Sequence, residues 1–167
     1  MASYDYGKDK IIEWIRQNFS QGETCLDVGA CDGKWADLLQ GYLKIDACEI
    51  YAPNIWEHSL ENKYRKVYNC DIADMEYRHY DLIIFGDVIE HMAVSRAQQA
   101  LAYAMPRCKD FIVGVPWLYA QGALYGNKYE IHLQDDLTPE LFAERYPELK
   151  LLYDTGHNYA YYHAAVG

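Results

Sequence analysis

The sequence predicts an α/β protein built on a doubly wound parallel sheet. Short apolar segments typical of buried strands alternate with amphipathic segments typical of helices along residues 8–115. The clearest strand, from Tyr80 to Phe85, contains a continuous apolar stretch, as expected where both faces of a sheet are covered. This alternation favours parallel strands joined by right-handed crossovers.

The first predicted elements are a helix, a strand and a second helix. Apolar residues recur at helical spacing over residues 8–19, and Gly22 follows as a stop. Residues 24–28 are predicted to form a strand that leads into a turn from Gly29 to Gly33. The helix after this turn has one apolar face, expected to consist of Trp35, Leu38, Leu39 and Tyr42.

Further strands follow at regular intervals. Residues 44–49 and 66–70 have the pattern of the second and third strands, and Pro53 suits the first turn of a short helix between them. After the fourth strand, small and apolar residues at helical spacing mark a helix that ends at Pro106. Residues 110–115 are predicted to form the fifth strand.

The last quarter of the chain predicts a helix and a hairpin. Thr138 is a suitable cap, with Pro139 and Glu140 in the first turn of the helix. Two strand-like runs, residues 150–153 and 159–166, are separated by polar turn residues. We expect this antiparallel hairpin to extend the edge of the sheet.

Composition narrows the class of protein. The length of 167 residues favours one domain over residues 1–167, and the net charge of −10 disfavours binding to nucleic acid or to an anionic membrane surface. No apolar run approaches the roughly 20 residues of a membrane span, and no leader sequence is recognisable. The five cysteines include no C-x-x-C pair, which predicts reduced thiols in a cytoplasmic protein. The oligomeric state is left open.

Candidate binding residues stand at strand ends, where open α/β sheets bind ligands. Glycines in the turn after the first strand let the backbone approach a ligand closely. Glu49 ends the second strand, where a carboxylate can accept both hydroxyls of a ribose. Asp71 ends the third strand and Asp87 follows the fourth.

The spacing of glycines in the turn after the first strand distinguishes three families of ligand-binding loop. The spacing of Gly29 and Gly33 excludes a phosphate-binding P-loop. A nicotinamide-type G-x-G-x-x-G pattern, counted from Gly29, matches at the first glycine and fails at the other two glycine positions. A D-x-G-x-G-x-G pattern fits at Asp27, Gly29 and Gly33, with Cys31 in place of the middle glycine.

The segments LDVGACDGKWADLL, IDACEI, NCDIADM, YDLIIFGDVIEHM and FIVGVPW together resemble the class I S-adenosylmethionine-dependent methyltransferases. DVIEHM is similar to what small-molecule methyltransferases of the type 11, ubiquinone-pathway kind carry. The resemblance implies a Rossmann-like seven-stranded sheet with helices on both faces and an antiparallel last strand. It covers the whole chain, which is close to the minimal core of that fold.

The resemblance also implies a site for S-adenosylmethionine and its product S-adenosylhomocysteine. The first loop would frame the methionine part, Glu49 the ribose, and Asp71 with Ile72 the adenine. Asp87 and Val88 would lie beside the sulfonium. The full implied set of cofactor-binding residues is Asp27, Gly29, Ala30, Cys31, Gly33, Glu49, Ile50, Tyr51, Asp71, Ile72, Asp87 and Val88.

Four residues are candidates for catalysis: Asp87, Glu90, His91 and His132. His91 is the expected general base by its ordinary pKa, whereas the alternative is that Glu90 and His91 only cap the next helix. Asp87, Glu90 and His91 also have the i, i+3, i+4 spacing that aims side chains at one point, with His132 as a fourth group. No metal ligand is assigned, but Mg²⁺ or Mn²⁺ would suit such a set.

The long connection from Pro116 to Asp136 is the expected substrate-binding loop. Its aromatic residues, Trp117, Tyr119, Tyr125 and Tyr129, would wall the pocket, and the N-terminal residues 4–6 would fold over the cofactor. The predicted function is methyl transfer to oxygen or nitrogen of a small molecule, sugar or peptide side chain. The alternative is a non-catalytic cofactor-binding or interaction module with the same fold, and a nicotinamide-dependent oxidoreductase is disfavoured.

Overall fold

A seven-stranded mixed sheet forms the centre of the computed structural model, which describes residues 5–76 and 78–167. The strands are β1 (Thr24–Val28), β2 (Lys44–Cys48), β3 (Val67–Tyr68), β4 (Tyr80–Gly86), β5 (Cys108–Pro116), β6 (Lys150–Asp154) and β7 (Tyr159–Ala165). Their order is β3-β2-β1-β4-β5-β7-β6. The pairs from β3 through β5 are parallel, and β7 is antiparallel to both of its neighbours. The predicted doubly wound sheet is confirmed.

Helices cover both faces of the sheet. They are α1 (Lys8–Asn18), α2 (Lys34–Leu39), α3 (Ala52–Glu57), α4 (Leu60–Lys63), α5 (Val94–Ala104) and α6 (Pro139–Arg145). Side chains alternate across each strand, so in β4 Ile83 and Phe85 join the core under α5 and α6. Leu82 and Ile84 join the opposite core, under α1 and α2.

The structure corrects several predicted elements. β3 has two residues rather than five, because the Asp71 carboxylate accepts the Ala73 N–H at 2.9 Å and turns the chain into a 3₁₀ helix. In its described part, the connection from β3 to β4 contains this 3₁₀ helix and no α-helix. α2 ends before Gly41, whose φ of +80° is left-handed, so Tyr42 lies beyond the helix, and Leu38 is exposed. α4 was not predicted.

The C-terminal hairpin is confirmed, and its order in the sheet has a clear cause. β7 lies between β5 and β6 because five of its seven residues are buried, whereas β6 is largely exposed and suits the sheet edge. Thr138 caps α6 as predicted, accepting the Leu141 N–H at 3.2 Å. All five cysteines are free thiols. None of the described helices has the length and apolar character needed to cross a bilayer.

Candidate active site

A cavity of about 400 Å³ opens at the carboxyl ends of β1, β2, β4 and β5. This is the edge at which parallel α/β sheets bind ligands, and the volume is in the range of small-molecule sites. The structure brings most of the predicted site residues together here: Gly29, Ala30, Cys31, Glu49, Ile50, Asp71, Asp87, Val88, Glu90, His91 and His132.

The turn after β1 is shaped by two residues in the left-handed region. Gly29 has φ +72°, and a Cβ at this position would lie 2.6 Å from Cγ2 of Val88. Glycine is therefore required for the turn to approach the end of β4. Cys31 has φ 48°, which explains why a glycine would suit this position of the pattern. Burial raises the pKa of the Cys31 thiol to about 11, so it adds no charge to the cavity.

Glu49 connects the turn after β1 to the end of β2. Its Oε2 accepts the Cys31 N–H and its Oε1 accepts the Tyr51 N–H, both at 2.8 Å. The side chain is 3% exposed and lines the cavity, and burial raises its pKa against these two backbone donors. Each carboxylate oxygen keeps a lone pair, so Glu49 can still accept hydroxyl donors from a ligand.

Asp71 lies at the far side of the cavity, after β3. Its Oδ1 accepts a hydrogen bond from Nη2 of Arg96 at 2.5 Å, and Arg96 also lines the cavity. Arg96 was not identified from the sequence, since one basic residue on the solvent side of a helix carries no local signal.

Two predicted cofactor-binding residues are instead buried away from the cavity. Asp27, which is 1% exposed, points to the same side of β1 as Cys25, because strand side chains alternate. Its Oδ2 accepts the Tyr64 hydroxyl at 2.5 Å, and burial raises the pKa of Asp27 to about 7. Ile72 is buried in the core on the other face. Neither residue lines the cavity.

Gly33 and Tyr51 also lie outside the cavity lining. Gly33 precedes α2 with φ +79°, and a Cβ there would lie 2.6 Å from Cδ of Lys63, so a glycine here lets the start of α2 approach the Lys63 side chain. The Tyr51 ring contacts the Tyr129 ring edge-on, with centroids 6.5 Å apart. Tyr129 does line the cavity, so Tyr51 supports a wall rather than forming it.

Asp87 follows β4 with φ 56°, a conformation that Asp tolerates better than most residues. Its Oδ2 is buried and accepts no hydrogen bond from the described residues. Burial raises the pKa of Asp87 to about 6, although the buried cation of Lys8 acts in the opposite direction. A buried carboxyl group with a raised pKa that lines a cavity is a functional-site candidate.

His91 and His132 meet across the cavity, with ring centroids 4.7 Å apart and an interplanar angle of 75°. Burial, with the neighbouring His132, lowers the pKa of His91 to about 4. The sequence-based choice of His91 as the general base depends on an ordinary pKa, and burial of the imidazole lowers that pKa. Glu90 is 1% exposed, and burial raises its pKa well above the usual range.

The loop after β5 is held against the loop after β4. The carbonyl of Glu90 accepts the N–H groups of Leu133 and Gln134, at 2.8 and 3.0 Å. The buried Gln134 side chain donates to the carbonyls of Ile89 and Met92, at 2.8 and 3.0 Å. These bonds place His132 beside the 3₁₀ helix Ile89–His91, and Gln134 was not identified from the sequence.

The predicted aromatic wall is formed in part. Tyr119 and Tyr129 line the cavity, whereas Trp117 packs against the core under α5 and α6. Tyr125 is 98% exposed, at the tip of a tight turn with φ 51°. The long loop therefore contributes two of its four aromatic residues to the cavity lining.

Among the described residues, the expected N-terminal cover provides a contact near the cavity through Asp5. Tyr4 lies outside the described residues. Asp5 accepts a hydrogen bond from Nζ of Lys34 at 2.6 Å, and Lys34 lines the cavity. The Tyr6 ring stacks on His157, with centroids 4.4 Å apart, and does not line the cavity.

Several further lining residues were not predicted from the sequence, among them Trp35, Asn54, Gly86, Gln121, Asn127 and Glu130. One signal was present. A Cβ on Gly86, inside the buried strand β4, would lie 2.6 Å from Nε1 of Trp35. A glycine in such a strand marks a close approach of another group, here the Trp35 ring at the cavity floor.

No protein-family model matches the sequence, and no curated protein matches it. Solved structures do match over nearly the whole chain. An S-adenosylmethionine-dependent methyltransferase from Clostridium acetobutylicum ATCC 824 aligns with a TM-score of 0.75 and 15% identity, covering 99% of this chain and 94% of that chain.

Two further similar structures are methyltransferases with named substrates. Magnesium protoporphyrin IX methyltransferase from Synechocystis PCC 6803, with bound S-adenosylhomocysteine, has a TM-score of 0.68 and 12% identity, covering 95% of this chain and 81% of that chain. The 1,6-didemethyltoxoflavin-N1-methyltransferase of Burkholderia thailandensis has a TM-score of 0.70 and 17% identity, covering 97% of this chain and 79% of that chain. The chain therefore has the Rossmann-like fold of class I S-adenosylmethionine-dependent methyltransferases, which confirms the fold implied by the resemblance.

Proposed function

We propose that the protein is an S-adenosylmethionine-dependent methyltransferase that acts on a small acceptor. The observation that carries the proposal is the position of Glu49, a buried carboxylate that joins the turn after β1 to the end of β2 and still lines the cavity. S-adenosylmethionine would supply the transferable methyl group when bound.

The cavity suits that cofactor in shape and charge. Gly29 keeps the turn after β1 free of a side chain where a Cβ would meet Val88. Carboxylates line the cavity and favour a ligand that carries a sulfonium cation: Asp32, Glu49, Asp71, Asp87, Glu90 and Glu130. We assign the ribose hydroxyls to Glu49, the adenine side to Ile50 and Asp71, and the sulfonium side to Asp87 and Val88.

The acceptor would enter between the loops that follow β4 and β5. Tyr119, Tyr129 and Leu133 offer apolar and aromatic surface there, and His132 a polar group. The acidic lining disfavours a phosphate-rich acceptor such as a nucleic acid. A small molecule, sugar or peptide side chain with a hydroxyl or amine fits this wall.

Of the two candidates Asp87 and His91, Asp87 has the pKa that better suits a general base. A base is most effective when its pKa lies near the working pH. The pKa of Asp87 is raised to about 6, whereas that of His91 is lowered to about 4. Alignment of the methyl donor with the acceptor would supply the rest of the rate acceleration, since methyl transfer is an in-line displacement.

Calorimetry with S-adenosylmethionine, S-adenosylhomocysteine and NAD⁺ tests the proposal. We expect the two sulfur compounds to bind and NAD⁺ to give no heat. Glu49→Gln should weaken binding by about 1–3 kcal/mol, as for loss of a charged hydrogen-bond acceptor. Glu57→Gln, at an exposed position of α3, is the matched control and should not change it.

Transfer is then measured with methyl-labelled cofactor and a panel of hydroxyl and amine acceptors. Labelled product supports the enzyme. Cofactor binding without turnover of any acceptor favours the alternative, a cofactor-binding module, for which the left-handed Cys31 and the low pKa of His91 are the supporting features. Absence of cofactor binding contradicts both.

A further inference from the structure

We propose that Glu90, His91 and His132 form a binding site for a divalent first-row transition metal ion such as Zn²⁺. Each residue offers one ligand atom, and these atoms all lie within 4.8 Å of one another. The site goes beyond the proposed function, because its ion is bound by protein side chains and is measurable without cofactor or acceptor.

The distances are close to those of an occupied site. Ligand atoms around a tetrahedral Zn²⁺ stand about 3.4 Å apart, given bonds of about 2.0–2.2 Å to nitrogen and oxygen. Oε1 of Glu90 and Nε2 of His91 are 3.9 Å apart. This separation exceeds the tetrahedral value by about 0.5 Å, so a small side-chain movement would bring these two groups onto one ion.

Both imidazoles are oriented as metal ligands usually are. Nδ1 of His132 lies 2.7 Å from the carbonyl oxygen of Tyr119, and Nδ1 of His91 lies 3.3 Å from that of Ile131. A carbonyl oxygen can only accept, so each Nδ1 carries the proton and each Nε2 presents its lone pair. Such a backbone contact on the far nitrogen is the common support of a metal-bound histidine.

Glu90 independently points to a ligand. Its side chain is 1% exposed and lines the cavity, yet neither carboxylate oxygen accepts a hydrogen bond from the described residues. Burying a carboxyl group without a partner is unfavourable, and a bound cation would compensate it.

The ligand set selects the class of ion. The sequence suggested Asp87, Glu90 and His91, with His132 as a fourth group, for Mg²⁺ or Mn²⁺, and the group that the structure brings together keeps Glu90, His91 and His132 without Asp87. Two imidazoles and one carboxylate favour Zn²⁺, Co²⁺ or Fe²⁺, whereas Mg²⁺ prefers oxygen ligands. Three protein ligands would leave a position for an acceptor heteroatom.

The two segments that carry the ligands are held together by main-chain bonds. The Glu90 carbonyl accepts the N–H groups of Leu133 and Gln134, directly after His132. The His132 N–H itself donates to the Gln121 carbonyl at 3.0 Å. Preorganisation of this kind raises metal affinity, because little ordering remains to be done on binding.

The test uses the full chain without an affinity tag, stripped with a chelator and titrated with Zn²⁺, Co²⁺ and Mg²⁺. We expect one equivalent of Zn²⁺ or Co²⁺ to bind, with a visible Co²⁺ ligand-field spectrum, and Mg²⁺ to bind far more weakly. His132→Ala and Glu90→Gln should each weaken binding by at least about 10–100-fold, the loss that follows even from removing a supporting residue. His79→Ala, at an exposed histidine, should leave it unchanged.

Circular dichroism and thermal unfolding without metal establish that each variant is folded, and His132→Gln replaces His132→Ala if that variant is not. Two results would overturn the proposal: Zn²⁺ and Co²⁺ binding no tighter than Mg²⁺, or Zn²⁺ binding that persists unchanged in both ligand variants. The second result would assign the ion elsewhere, for example to the thiols of Cys48 and Cys70, whose sulfur atoms lie 4.0 Å apart. Failure of cofactor binding leaves these readouts unaffected.

Discussion

Gln134 donates hydrogen bonds to main-chain carbonyls on both sides of Glu90. Its side-chain nitrogen donates to the carbonyls of Ile89 and Met92, and its own N–H donates to the carbonyl of Glu90 at 3.0 Å. The Gln134 oxygen in turn accepts the Tyr146 hydroxyl at 2.8 Å. One buried amide thus joins the loop after β4, the loop after β5 and the end of α6.

Replacing this amide should destabilise the protein. Gln134→Ala leaves the carbonyls of Ile89 and Met92 and the Tyr146 hydroxyl with fewer partners, and we expect the free energy of unfolding to fall by about 2–4 kcal/mol. Urea unfolding measures it. Gln99→Ala, at an exposed position of α5, should change stability by less than about 0.5 kcal/mol. Equal effects of the two substitutions would contradict the role of Gln134.

Gly29→Ala should be more damaging than Gly41→Ala. Both glycines have left-handed φ angles, +72° and +80°, so backbone strain of about 1–2 kcal/mol is common to both substitutions. A Cβ at Gly29 also meets Cγ2 of Val88 at 2.6 Å, whereas nothing lies within 4 Å at Gly41. We expect Val88→Ala to restore part of the stability lost in Gly29→Ala and to have no such effect on Gly41→Ala. Denaturant unfolding of the single and double variants measures this coupling.

The pKa of Asp27 predicts a pH dependence of stability. Its pKa in the folded protein, about 7, exceeds the value near 3.9 in an unfolded chain. The folded state therefore binds this proton more tightly, and the resulting stabilisation is complete below about pH 4 and lost as the pH rises through about 7.

Asp27→Asn removes this titration and leaves the other groups in place. We expect the unfolding free energy of the wild type, relative to the variant, to decrease by up to about 4 kcal/mol between pH 4 and pH 8. Unfolding curves of both proteins across this range measure the difference. A difference that is constant with pH would show that Asp27 is ionised in the fold.

Arg96 should affect ligand binding more than stability. The pair between Arg96 and Asp71 is partly exposed, so its loss should change the unfolding free energy by about 1 kcal/mol or less. Asp71 would then lose the group that orients its carboxylate in the cavity. We expect Arg96→Gln to weaken S-adenosylhomocysteine binding several-fold in calorimetry, and Arg78→Gln, at an exposed residue before β4, to leave it unchanged. The opposite pattern, lost stability with intact binding, would remove Arg96 from the site.

Local sequence patterns are sufficient for the order and type of most elements. Apolar periodicity identifies β1, β4, α5 and the C-terminal hairpin. A helix with one buried stripe and a strand with buried faces each produce a characteristic spacing of apolar residues along the sequence. Strand ends are equally visible, so the sequence places Glu49, Asp71 and Asp87 at the correct edge of the sheet. The length of β3 is overestimated, because the turn begun by Asp71 competes with strand pairing.

The sequence by itself thus determined the doubly wound sheet and the edge of the sheet at which the cavity opens, whereas the tertiary structure decided which side chains face the cavity. Asp27 binds Tyr64, Arg96 binds Asp71, and His132 stands beside His91. Each of these contacts joins segments far apart in the chain. Periodicity indicates only whether a position is buried. The partner of a buried or strand-end polar group depends on how distant loops and strands pack against each other.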